Sequence, residues 1–193
     1  MSEDLDNLRK TIVSCNKCSL AKTRTNAVPG TGYHKSEIIF IGEAPGRSED
    51  LKGEPFVGAA GKILSEALEY AGLPRTQVYI TNVVKCRPPN NRQPNTHEID
   101  SCNVYLLDEL KMIDPKIICI LGNTAFGSLL NGNSIIKNRG KIIKRDGRAY
   151  FVTVHPAAAI YNPKLRQVLK DDLKLLSEIL DKIKKGIPIE NTP

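Results

Sequence analysis

Four short apolar runs rich in β-branched residues punctuate the chain. They are Ile38-Ile39-Phe40-Ile41, Val78-Tyr79-Ile80-Thr81 continuing to Val84, Ile117 to Leu121, and Tyr150 to Val154. Each is apolar nearly throughout rather than alternating, which predicts strands covered on both faces, as in a parallel sheet. Helical spacing occupies the intervals. Ile63, Leu64, Ala67, Leu68 and Ala71 predict a helix over Ala59 to Ala71, stopped by Gly72. Asn95 with Glu98 has the form of a capping box and opens a second helix. Its apolar face is Ile99, Cys102, Leu106, Leu110 and Ile113, and Asp114-Pro115 ends it. Asn162-Pro163 starts a last helix, with a stripe from Val168 through Leu176 to Ile183.

Strands alternating with helices predict a three-layer α/β/α sandwich around a four-stranded parallel sheet. The 193 residues suit one domain over 1–193, with a loose tail, GIPIENTP, from about 186. The segment Cys86 to Asn95, CRPPNNRQPN, is too rich in Pro and Asn for either regular element and reads as a structured loop.

Composition narrows the setting. No apolar run reaches the ~20 residues of a membrane span. The polar start MSEDLDNLRK is no secretory signal. A cytoplasmic monomer with no membrane contact is expected. A formal net charge of +7 favours polyanions, although a lysine-rich surface needs no ligand.

The five cysteines separate into four and one. Cys119 sits inside an apolar run and reads as a small core residue. Cys15-x-x-Cys18 is a close pair, and the fold must bring Cys86 and Cys102 to it. In a reducing compartment four such thiols suit zinc or an iron–sulfur cluster, and spacing does not choose between them.

Ligands of open α/β sheets bind beyond the carboxyl ends of the strands. Those ends carry Gly42-Glu43-Ala44-Pro45-Gly46, Thr81-Asn82 and Val154-His155-Pro156. A carboxylate, an amide and an imidazole thus meet on one edge. Gly53 and Gly58 have the spacing of a phosphate loop, but Ala59-Ala60 replaces its Lys and Ser/Thr, so nucleotide binding is not supported.

The joint pattern resembles the family 4 uracil-DNA glycosylases of bacteria and archaea. The resemblance rests on Cys15-x-x-Cys18, Gly42-Glu43-Ala44-Pro45-Gly46 with Glu49, and Pro55-Phe56-Val57-Gly58. It continues through Thr81-Asn82-Val83-Val84-Lys85-Cys86-Arg87-Pro88-Pro89, Cys102 and His155-Pro156-Ala157-Ala158. It implies a 4Fe-4S iron–sulfur cluster on Cys15, Cys18, Cys86 and Cys102, and excision of uracil from DNA.

Under that resemblance Gly42, Glu43, Ala44, Phe56, Asn82 and His155 form the substrate pocket, with Glu43 and His155 catalytic. Phe56 stacks a flipped base, Asn82 reads its edge and His155 donates to O2. The best-known uracil glycosylases orient water with an aspartate; the matching position here is Ala44. Glu43 or main-chain groups are then expected to hold the water. Lys85, Arg87, Lys164 and Arg166 are expected at DNA phosphates. Ile160, Tyr161 and Arg166 are candidates for the wedge that fills the vacated stack. Repair or replication proteins are candidate partners.

Overall fold

The computed structural model describes residues 2–189. Helix α1 (Ser2–Val13) leads to β1 (Thr31–Gly32) and β2 (Ile38–Gly42). Then come α2 (Arg47–Lys52), α3 (Ala59–Tyr70), β3 (Tyr79–Asn82), α4 (Thr96–Ile113) and β4 (Ile117–Leu121). The chain continues with α5 (Asn123–Leu130), α6 (Ile135–Asn138), β5 (Ile142–Arg145), β6 (Arg148–Thr153), α7 (Ala158–Tyr161) and α8 (Lys164–Lys184).

The sheet has six strands in the order β1-β3-β2-β4-β6-β5. The predicted apolar runs are its four central parallel strands, β3, β2, β4 and β6. The expected four-stranded sheet is corrected by two antiparallel edge strands. β1 has only two residues, too few for any period. β5 joins β6 through Asp146-Gly147, both at positive φ (51° and 74°), a hairpin turn with a known sequence signature.

β2 to β3 and β3 to β4 cross the sheet in opposite directions, so right-handed crossovers put α3 and α4 on opposite faces. α8 packs with α3, and α1 with α4. All five residues of β2 and of β4 are buried, Cys119 among them, as its apolar surroundings predict.

The helix boundaries follow the local chemistry. Asn95 and Glu98 exchange side chain-to-backbone bonds, each 2.9 Å, and complete the capping box. Gly72, at φ 68°, closes α3 with its amide on Glu69. The Asn162 side chain accepts from the Lys164 amide at 3.2 Å and starts α8. In the expected loose tail, the Gly186 and Ile187 amides cap α8 on Ile183 and Lys182, and Ile189 packs on the core. Residues 190–193 lie outside the described residues.

Candidate functional site

The switch point of the sheet lies beside β2, where successive crossovers leave in opposite directions, and a ligand crevice is expected there. A cavity of about 460 Å³ opens at that edge, between the ends of β2, β3 and β6. Glu43, Ala44, Phe56, Asn82 and His155 all line it. A larger depression of about 680 Å³ lies at the amino ends of the strands, beside Glu37, Ile38 and Val78, and none of the strand-end trio reaches it.

Gly42 and Asn82 are direct neighbours in the β2–β3 register. A Cβ on Gly42 would stand 2.5 Å from Asn82 Oδ1 and 2.6 Å from Phe56 Cζ. The missing side chain at position 42 therefore admits both groups to the pocket. Asn82 is 1% exposed, and its Oδ1 is a buried acceptor with no hydrogen-bond partner among the described residues. Such an orphan costs roughly 1–3 kcal/mol, which a ligand donor recovers.

Phe56 sits at φ 52°, an unusual backbone for a bulky residue. Two charged side chains hold that corner. Glu49 Oε1 accepts from the amides of Val57 (2.9 Å) and Gly58 (2.7 Å). Arg75 Nη2 donates to the carbonyls of Pro55 (2.9 Å) and Phe56 (3.0 Å). Gly61 lets α3 approach, since a Cβ there would lie 1.9 Å from the Phe56 carbonyl oxygen. Glu49 was legible only as part of a motif, and Arg75 carried no local signal.

His155 follows β6, and its Nδ1 accepts from the Ala157 amide at 3.1 Å. That bond leaves the proton of the neutral ring on Nε2. Burial lowers its pKa to about 4, against a smaller opposing effect of the Glu49 charge, so the ring is neutral at pH 7. Glu43 is half-buried on the cavity wall. The carbonyls of Gly42, Glu43 and Gly46 already accept from the amides of Val83, Val84 and Asp50.

The mouth is built by residues the sequence did not single out as well as by some it did. Arg47, Asn91 and Arg92 border it, as do Ile160 and Tyr161, the latter 89% exposed. Lys164 and Arg166 are exposed on the first turn of α8, just after them. Arg87 is half-buried and bonds Asn91 Oδ1 at 2.8 Å within its own loop. Lys85 departs from expectation: it is 1% exposed, its ammonium is 2.7 Å from Glu109, and it does not reach the surface. An i+3 position after Asn82 turns it inward beneath the strand end.

Cys15, Cys18, Cys86 and Cys102 converge on one small cavity between α1 and α4, which Tyr105 and Arg24 also line. N–H groups point at the sulfurs. Arg24 Nη1 lies 3.1 Å from Cys86 Sγ, the Lys85 amide 3.2 Å from Cys102 Sγ, and the Lys17 amide 3.5 Å from Cys15 Sγ. Burial pushes the Cys102 thiol up to about 11 and Cys86 above its ordinary value, partly offset by Lys85 and Arg24 respectively. Among the described residues no three His, Cys, Asp or Glu side chains are grouped so as to hold a metal ion.

Residues 29–184 match the model of the Uracil DNA glycosylase superfamily. The chain is 49% identical to the type-4 uracil-DNA glycosylase of Archaeoglobus fulgidus over 189 residues, 93% of this chain and 95% of the relative. It is 49% identical to that of Sulfurisphaera tokodaii (92% and 85% covered) and 46% to that of Saccharolobus solfataricus (98% and 91%).

Proposed function

The chain belongs to the uracil DNA glycosylase superfamily, and we propose that it is a DNA-repair hydrolase that breaks the N-glycosidic bond of uracil in DNA, releasing uracil and leaving an abasic site. The observation that carries this reading is Asn82 Oδ1, a buried acceptor without a partner among the described residues, on the wall of a cavity large enough for a base.

Uracil presents N3–H to such an acceptor. Cytosine presents an unprotonated nitrogen there, and two facing acceptors leave both unpaired at a cost of roughly 1–3 kcal/mol each. The Phe56 ring supplies the stacking face for the extruded base. Of the candidates Ile160, Tyr161 and Arg166, we take Tyr161, exposed at the mouth, as the side chain that fills the vacated stack.

Cleavage sends the glycosidic electron pair to uracil N1, with charge spread to O2 and O4. His155 Nε2–H donates to O2 as that charge grows, without a proton changing hands. A water oxygen bonds to C1′ on the opposite face and gives its proton to the Glu43 carboxylate. Glu43 lines the cavity and we take it as the water's holder, with the main-chain carbonyls of Ala44 and Pro45 in the same turn as the alternative.

The donor set suits an iron–sulfur cluster: four thiols on one cavity, with N–H donors to soften their charge. Cys15, Cys18, Cys86 and Cys102 would hold it, and bound there it supplies a cross-link between the N-terminal segment and the loop that lines the pocket. No described helix is long and apolar enough to cross a membrane. A cytoplasmic enzyme working beside repair or replication proteins fits the reading.

The test is incubation of purified protein with uracil-containing DNA, followed by alkali. Strand cleavage at uracil and free uracil in solution are expected. Intact strands overturn the assignment.

A further inference from the structure

A buried ion pair lies directly beneath the pocket and takes no part in the mechanism above. Lys85 Nζ donates to Glu109 Oε2 (2.7 Å), Thr81 Oγ1 (2.6 Å) and the Asn82 carbonyl (2.7 Å), which uses all three of its protons. The side chains are 2% and 1% exposed. Glu109 also accepts from Thr81 Oγ1 (2.8 Å) and the Gly30 amide (2.9 Å). Desolvating two charges costs as much as, or more than, their attraction returns, so such a pair is poor evidence of stability. Its geometric effect is specific. It fixes the main chain of Asn82, whose side chain projects into the pocket from the adjoining atom.

The same residue faces the thiols. The Lys85 amide donates to Cys102 Sγ, and Cys86 follows it in sequence. One residue therefore holds Asn82 with its side chain and a cluster ligand with its main chain. We propose that Lys85, charge-balanced by Glu109, is a positioning residue that sets the Asn82 amide for uracil and transmits the position of the Cys86–Cys102 site to it. The proposal rests on the uracil-excising reading.

The variant to make is Lys85→Met with Glu109→Gln. It removes both charges together; the Gln oxygen still accepts from the Gly30 amide, and its NH2 donates to Thr81 Oγ1 in place of the lost ammonium. We expect native melting, retained visible absorption from iron–sulfur, and unchanged affinity for an abasic-site duplex. The single-turnover rate on uracil DNA should fall about tenfold or more, equivalent to about 1.4 kcal/mol. The inhibition constant of free uracil should rise in parallel. A merely structural role moves melting and abasic-site affinity instead.

A native rate with native uracil inhibition in the folded variant overturns the proposal. So does an equal loss of abasic-site affinity. If the double variant does not fold, Thr81→Val, which deletes one hydroxyl of the network, carries the same readouts with a smaller loss expected. Wild-type protein assayed alongside keeps the two readings distinct. No uracil release there sinks the glycosylase assignment itself, whereas normal release beside an unaffected variant sinks only the role of Lys85.

Discussion

The imidazole of His155 and the ring of Phe56 lie 5.7 Å apart, centroid to centroid, with their planes inclined by 35°. The rings come from distant elements, one after β6 and the other before α3. Both rings line the same cavity, so a base stacked on Phe56 is bordered by the imidazole.

His155→Ala should lower the single-turnover rate by about 100- to 1000-fold, the usual loss for one oxyanion donor. Affinity for uracil DNA should change far less, because phosphate contacts dominate it. Weak binding with normal cleavage at saturation would make His155 a positioning residue.

The pH dependence follows from the same ring. Its pKa is lowered to about 4 from 6.5, so no loss of rate from this group is expected as pH falls through 6.5. Activity should drop only as pH approaches about 4, where the ring gains a proton and Ala157 loses its acceptor. The unfolded chain takes up this proton first. The group's contribution to stability is therefore full above 6.5 and shrinks as pH falls toward 4. A rate profile breaking near 6.5 and abolished in His155→Ala would contradict a neutral donor.

Asn82→Asp replaces an amide with a carboxyl. Uracil excision should fall by about 100-fold or more, as for loss of other pocket hydrogen-bond partners. Weak release of cytosine is expected where the acid is protonated and can donate to the cytosine ring nitrogen. Unchanged kinetics would remove Asn82 from the pocket. Glu43→Gln, which keeps size and loses charge, should slow single turnover by about 100-fold. A loss smaller than tenfold would return the water to main-chain groups.

Neutralising Lys164 and Arg166 together, both exposed beside Tyr161, should weaken DNA binding. The slope of log affinity against log salt should shrink by about 1–2. An unaltered slope, measured by titration at several salt concentrations, places the contact surface elsewhere.

Protein purified without oxygen should be brown and carry about four irons per chain. Cys119→Ser should leave that number unchanged, since Cys119 lies fully buried in β4, away from the thiol-lined cavity. Colourless protein with stoichiometric zinc would overturn the cluster.

Periodicity made the central strands and the three long helices from α3 onward legible, because burial on both faces or along one stripe leaves a local mark. Asn82 and His155 were legible through their place at strand ends. Edge strand β1 left no trace in two residues, while the Asp146-Gly147 turn of β5 left one that went unused. The destination of Lys85 was hidden because its partner, Glu109, stands 24 residues away on α4. A basic residue beside a motif looks the same in sequence whether it faces phosphate or a buried carboxylate. Arg75 was hidden for the same reason, since its partners are carbonyls of a loop 19 and 20 residues earlier.

The brevity of β1 bears on how the molecule meets copies of itself. Open sheet edges invite strand addition and, through it, aggregation. One margin here offers two residues, and the other ends in exposed Lys144 and Arg145. A foreign strand finds too short a ladder on one side and a cationic rim on the other. The backbone groups that could template a fibril are thereby rationed, and the ligand edge of the sheet stays open for the substrate.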